Sequence, residues 1–227
     1  MNTNCIRNLI HDLKSSDHTS FSKMRIQILN DDGERVGYLI PINKHLASNP
    51  FVIQKLTKWR KMFKKYFLTQ FTPTENRTKS WLESVVLPSG NRVLFLIYTS
   101  SNDIIGNFGI CDLSEEKAEL DNLIRGEKGG HPQLIYFAEL SLLRWLFYDL
   151  CIPKVCLHVF SNNYKTISLH ESVGFRTTAS YSLAKEEHLD EIKYTPCEVF
   201  DSNFSEFSYL EMTLIASEFK KIHECLR

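Results

Sequence analysis

Apolar residues along this chain keep two rhythms. Stretches 24–30 (MRIQILN), 36–42 (VGYLIPI), 92–100 (RVLFLIYTS), 104–113 (IIGNFGICDL), 118–124, 154–160 (KVCLHVF), 175–183 and 208–216 (SYLEMTLIA) carry the short apolar or alternating runs of strands. The turn DDGER joins the first two, and SSND joins the third and fourth. VLFLI is apolar at successive positions, which predicts a strand covered on both faces. Gly106 and Gly109 inside the fourth stretch predict a bulge or a close backbone approach. Elsewhere the spacing lengthens to three and four. Asn49-Pro50 opens a helix whose Ile53, Leu56, Trp59, Phe63 and Phe67 make one apolar face. Thr72 or Thr74 caps a second, carrying Trp81, Leu82 and Val85. A long helix runs from about Pro132 to Leu150, and a short one follows Ser161-Asn162-Asn163 and stops at Val173-Gly174. This order predicts an α+β domain, one sheet with helices packed on its faces, over residues 24–216. A polar lead-in (1–23) precedes it and a helical tail (217–227) follows it. An acidic, irregular segment from Glu186 to about Asn203 separates the last two strands.

One stretch joins the two rhythms in a way that carries chemistry. Between Glu119 and Trp145, ELDNLIRG runs into the loop EKGGHP and then into QLIYFAELSLLRW: strand, glycine-rich loop, helix. Glycines let backbone approach an anion closely, and the N–H groups of a helix start point at it. Composition narrows the partner. The 227 residues include 27 basic and 27 acidic side chains, so zero net charge argues against a nucleic-acid binder. No apolar run is long enough for a membrane span, and the first residues lack the apolar centre of a secretory signal. The six cysteines show neither C-x-x-C nor Cys/His knuckle spacing, which predicts no metal site and free thiols in a reducing, cytoplasmic setting. The glycosylation-like triplets at Asn76 and Asn203 are then chance matches. Lys55, Lys58, Lys61 and Lys65 fall mostly opposite the apolar face of their helix. They are either solvated or, with Arg60, turned toward an anionic substrate.

Two pieces carry a family resemblance. The first is strand–Arg125-Gly126-Glu127-Lys128-Gly129-Gly130–helix. The second is Val159-Phe160-Ser161-Asn162-Asn163 through Leu169-His170-Glu171-Ser172-Val173-Gly174-Phe175. In order and separation they resemble the acyl-CoA pyrophosphate loop and the following strand–helix–strand of the GCN5-related N-acetyltransferase superfamily, over roughly residues 24–216. The resemblance implies a single mixed, mostly antiparallel sheet with helices on both faces. It also implies a central splay between the strands before and after the long helix. WRKMF near residue 60 and T-x-x-R-T-K-S-W-L near residue 80 add a narrower likeness, to bacterial members that acylate nucleotide-linked amino sugars for surface polysaccharides. Two positions depart from the family pattern. Lys128 stands at the middle glycine of the loop, and His170 stands where a tyrosine commonly protonates the leaving thiolate.

The implied reaction is acyl transfer from acetyl-CoA to a primary amine, which needs a held donor, a neutral amine, oxyanion stabilisation and a proton for the thiolate. By resemblance, Arg125, Gly126, Lys128, Gly129 and Gly130 hold the pyrophosphate. Leu123 and Ile124 pair with the pantetheine arm, and Asn163 reaches the cofactor from the far side. Strand alternation puts Glu119, Asp121 and Leu123 on one face of 118–124, and Leu120, Asn122 and Ile124 on the other. Asp121 and Glu119 are therefore candidates to handle the amine, as base, water-holder or anchor; structural hydrogen bonding is the alternative. His170 is the candidate donor to the thiolate, with Tyr164 or Tyr136 as substitutes. His158 reads as wall. The expected acceptor is a small or nucleotide-linked amino sugar. A protein N-terminus is the runner-up, and a non-catalytic acyl-CoA-binding module the alternative from another class. The last strand and the acidic insert offer a homodimer edge.

Overall fold

A computed structural model describes residues 3–15, 25–197 and 205–224. Among them ten strands form one sheet: β1 (Ile26–Leu29), β2 (Arg35–Pro41), β3 (Thr69–Phe71), β4 (Val93–Thr99), β5 (Ile104–Cys111), β6 (Ala118–Arg125), β7 (Lys154–Phe160), β8 (Arg176–His188), β9 (Glu191–Cys197) and β10 (Tyr209–Ile215). The helices are α1 (Thr3–Ser15), α2 (Lys44–Ser48), α3 (Pro50–Met62), α4 (Glu75–Trp81), α5 (Leu134–Arg144), α6 (Tyr164–Ser172) and α7 (Ala216–Ile222). Across the sheet the order is β1-β2-β4-β5-β6-β7-β10-β8-β9-β3. Only β6 and β7 run parallel; every other neighbouring pair is antiparallel. This is the mixed, mostly antiparallel α+β sheet that the sequence predicts.

Local chemistry sets the helix starts. Asn49 accepts a hydrogen bond from Phe51 N–H (2.9 Å) ahead of Pro50, Asn43 accepts from Leu46 N–H (2.9 Å), and Thr74, rather than Thr72, accepts from Arg77 N–H (3.2 Å). Helices α4 and α5 each end in a π-helical turn, at 82–86 and 145–149, so the long helix does reach almost to Leu150.

The sheet separates two unequal cores. On one face Val93, Phe95 and Ile97 of β4 join Leu120, Leu157, Met212 and Leu214 beneath α1, α5 and α7. On the other face Leu94 and Leu96 meet α2, α3 and α4 through Leu46, Leu56 and Trp59. Farther along that second face, Phe160, Leu183 and Tyr194 form a third cluster.

Three expectations change. The polar lead-in contains α1, whose Ile6, Ile10 and Leu13 are buried in the larger core. Each such side chain contributes about 1.5–3 kcal/mol. Lys14 fastens this helix by donating to the carbonyls of Val86 (2.7 Å) and Ser89 (2.6 Å), and burial lowers its pKa to about 8. Charged neighbours on every side hid the four- and three-residue steps. Second, the described part of the acidic segment, 186–197, continues β8 and forms β9, paired from Ser182↔Cys197 to His188↔Glu191. Third, β10 is flanked by β7 and β8, so the last strand is interior and offers no dimer edge. The Asn203 triplet and Cys225 lie outside the described residues.

Candidate active site

Strands β6 and β7 pair from Ala118↔Val155 to Leu120↔Leu157 and then part, although β6 continues to Arg125 and β7 to Phe160. Each keeps its other neighbour past that point: Arg125 opposes Gly106, and Phe160 opposes Tyr209. The result is a V-shaped slot that opens at Asp121 and His158.

Its β6 wall is bent by a bulge. Phe108 alone stands between the pairs Asn107↔Ile124 and Gly109↔Asp121, opposite both Asn122 and Leu123. Asn122 takes the left-handed conformation (φ 50°), and the buried Asn107 side chain donates to its carbonyl. The bulge breaks the simple alternation. Leu120 and Leu123 both pack with the larger core, while Ile124 joins the α3 side, so Leu123 does not share a face with Glu119 and Asp121. The close approach signalled by Gly106 and Gly109 is real. A Cβ at Gly106 would lie 2.2 Å from Ile124 O, and one at Gly109 2.0 Å from Asp121 Oδ1.

The loop after β6 is clamped from several sides. The amides of Gly126 and Glu127 both donate to Ile105 O (2.8 and 3.0 Å), so they are spent on the fold. A Cβ at Gly126 would strike the Trp59 ring at 2.2 Å, and that packing fixes the residue. Arg125 turns back on its own loop and donates to Gly129 O (3.2 Å) and Pro132 O (3.1 Å). Glu127 receives Lys55 (3.0 Å) and Lys58 (3.5 Å) from α3, so these two lysines brace the loop. Lys55 lowers the Glu127 pKa through that hydrogen bond. Among the described residues, the amides of Lys128, Gly129, Gly130 and His131 have no intramolecular backbone partner. Gly129 and Gly130 have φ values of 131° and 67°, reachable by glycine. Exposed Lys128 stands beside them at the head of α5. Four available amides, a cation and an 11-residue helix start fit a pyrophosphate. Asn163 precedes α6 and uses no side-chain atom to cap it.

A polar strip crosses the second face between the α3 core and the Phe160 cluster. Cys111, Glu119 and Cys156 are adjacent in register, followed by His158 opposite Glu211. His158 Nδ1–H donates to Glu119 Oε1 (2.9 Å), its Nε2 lies 3.8 Å from Glu211 Oε2, and Tyr209 stacks on the ring at 5.1 Å. Tyr181 donates to Glu211 (3.2 Å). The hydrogen bond to Glu119 raises the His158 pKa above its ordinary value. Asp121 is held by Arg92 and by Asn122 (2.8 Å), and its Oδ1 is buried without a partner. Burial pushes its carboxyl up, against the pull of Arg92. Burial likewise keeps the Cys111 thiol protonated, as expected for a free thiol. Phe63 and Phe67 pack with the α3 core while the next residue, Leu68, packs with Phe160 and Tyr194. Residues 63–71 therefore bridge the two clusters before β3 joins β9.

His170 lies elsewhere. It is on the opposite side of the sheet with α5 and α6, 4% exposed, with Nδ1 2.6 Å from Glu139 Oε1. Tyr164 is three-quarters exposed. The sequence reading missed Arg92, Asn107, His158, Tyr209 and Glu211. A signal existed: His158 and Glu211 are ionisable residues that interrupt the apolar runs of KVCLHVF and YLEMTLI, on the face away from the larger core.

A splayed parallel pair, a bulged strand and an anion-ready loop match the donor site that the resemblance implies for an acyl-CoA-dependent transferase. The model of the acetyltransferase (GNAT) domain matches residues 39–176, and the chain belongs to that family. It is a CoA-dependent N-acetyltransferase, and its donor is acetyl-CoA. Solved structures of similar fold include one described as a probable GNAT-family acetyltransferase from Chromobacterium violaceum (TM-score 0.62, 12% identity, 86% of this chain and 88% of that one). Another is a nucleotide-linked sugar GNAT in its apo form (0.58, 14%, 84% and 93%). A third is spermidine N-acetyltransferase from Vibrio cholerae with CoA and spermine (0.57, 16%, 80% and 96%). No curated protein sequence matches. Among the described residues no helix is long and apolar enough to cross a membrane.

Proposed function

We propose that the chain acetylates the primary amine of a small acceptor, an amino sugar carried on a nucleotide, in the cytoplasmic assembly of a surface polysaccharide. The polar strip at the mouth of the splay carries this reading. A band of polar groups set between the α3 core and the Phe160 cluster suits a compact acceptor better than a protein chain. Its lining of Glu119, Glu211, Tyr181, Tyr209 and His158 offers the hydrogen-bonding groups and aromatic faces that hold sugar hydroxyls. The exposed lysines 61, 64 and 65 at the end of α3 and beyond supply charge for a nucleotide diphosphate. The free amides at Lys128–His131 hold the donor pyrophosphate, and the splay takes its pantetheine arm. His170, at the family's tyrosine position, is closed off beneath α5 with Glu139, so the thiolate takes its proton from the amine instead.

A second reading has its own support. Glu119 and Glu211 on either side of His158 would also hold the second ammonium of a polyamine. Thiol release from acetyl-CoA, measured with nucleotide-linked amino sugars, free amino sugars, spermidine and peptides, separates these acceptors. The nucleotide-linked sugars are expected to give at least tenfold higher kcat/KM than the rest. Spermidine in first place would select the polyamine reading, and peptides in first place would overturn the small-acceptor proposal.

A further inference from the structure

We propose that His158 is the catalytic base of this enzyme, taking the proton from the acceptor ammonium at Nε2 while Glu119 fixes the ring through Nδ1. The inference rests on the reading of the polar strip as the acceptor site.

Position is the first argument. The last β6–β7 pair is Leu120↔Leu157, and His158 is the next residue of β7, at the mouth of the splay. A thioester lying between the parted strands must meet its acceptor there.

Tautomer is the second. A carboxylate can only accept, so the 2.9 Å contact with Glu119 Oε1 places a proton on Nδ1. Neutral His158 therefore carries its lone pair on Nε2. That nitrogen is 3.8 Å from Glu211 Oε2, too far for a hydrogen bond but near enough to favour the imidazolium once it forms. Tyr209 packs flat on the ring and holds its plane.

The third argument is elimination within the strip. Asp121 already neutralises Arg92 and receives Asn122, and burial opposes its ionised form. The Cys111 thiol is held protonated by burial. The groups that face His158 are Glu119 and Lys117 from β6 and its approach, and Glu211 and Tyr209 from β10. Of these the Glu119 hydrogen bond has the largest effect and raises the histidine's pKa.

The step balances. The ammonium gives one proton to Nε2, and the freed amine lone pair forms the C–N bond at the thioester carbonyl. The C–S bond breaks, the thiolate leaves and takes up the second amine proton, and His158 returns its proton to solvent. The net change is ammonium plus thioester to amide, thiol and one proton.

The test is kcat against pH with acetyl-CoA and the best acceptor, for wild type, His158→Gln, Glu119→Gln and Glu211→Gln. Wild-type kcat should rise through a single limb above pH ~6.5, the unperturbed histidine value. His158→Gln should lose that limb and fall roughly 10²–10⁴-fold in kcat, with acetyl-CoA affinity unchanged. Glu119→Gln should move the limb to lower pH. A limb retained in His158→Gln, or a kcat within threefold of wild type, overturns the proposal. So does a limb that tracks the acceptor amine's own pKa. If His158→Gln fails to fold, an unmoved limb in Glu119→Gln overturns it equally. Absence of turnover by the wild type with every amine would instead defeat the functional reading.

Discussion

Two histidines in this protein each hold a glutamate, one on either side of the sheet. In the polar strip, His158 and Glu119 have side chains 22% and 20% exposed; beneath α5, those of His170 and Glu139 are 5% and 0% exposed. The bonds are similar, 2.9 and 2.6 Å, but the surroundings are not. His158 faces a second carboxylate and an open slot. Glu139 has its other oxygen, Oε2, buried with no partner. A pair open to solvent can pass protons on. A sealed pair exchanges only with a group laid against it, and it ties α6 to α5 meanwhile. The same two residue types thus do different physical work because the dielectric and the access differ.

The comparison can be broken most sharply at the sealed pair. His170→Ala should cost about 3–5 kcal/mol in urea unfolding, because it leaves a buried carboxylate without its partner. Replacing both residues with leucine should restore most of that loss. His158→Ala should cost within about 1 kcal/mol in the same assay. Equal losses at both sites would erase the distinction.

A subtler effect separates the pairs by pH. The folded pKa of His158 is raised, so its pairing stabilises the fold fully below the unfolded value near 6.5 and loses that contribution as pH rises through the folded pKa. Thermal scans across this window should show that decline in wild type and not in His158→Gln. The smallest effect is expected at Glu127, whose partners Lys55 and Lys58 meet it at the surface of the loop. Glu127→Gln should change stability by less than about 1 kcal/mol while raising the KM for acetyl-CoA a few-fold.

Much of this molecule is readable along the chain. Strand β7 and helix α6 fall where the apolar pattern places them, and Asn49-Pro50 and Thr74 start the helices their side chains cap. The glycine loop before α5 is legible because the glycines demanded by positive φ stand next to a helix start. Other features resist reading. Helix α1 hides its apolar face among charges, and the register of β8 with β9 is set by cross-strand pairing that no local signal announces. The bulge at Asn122 reverses the face of Leu123, which strict alternation had placed beside Asp121.

The sequence by itself determined most of the elements, the family resemblance and the glycine loop before α5, because periodicity, capping and turn chemistry act over a few neighbouring residues. Only the tertiary structure decided which side chains meet at the mouth of the splay. His158, Glu119 and Glu211 come from three strands and meet only once those strands are in register and splayed. His170 is sealed because α5 brings Glu139 to it across 31 residues of chain. Proton-handling roles depend on that distant company, and burial is a property of the whole fold.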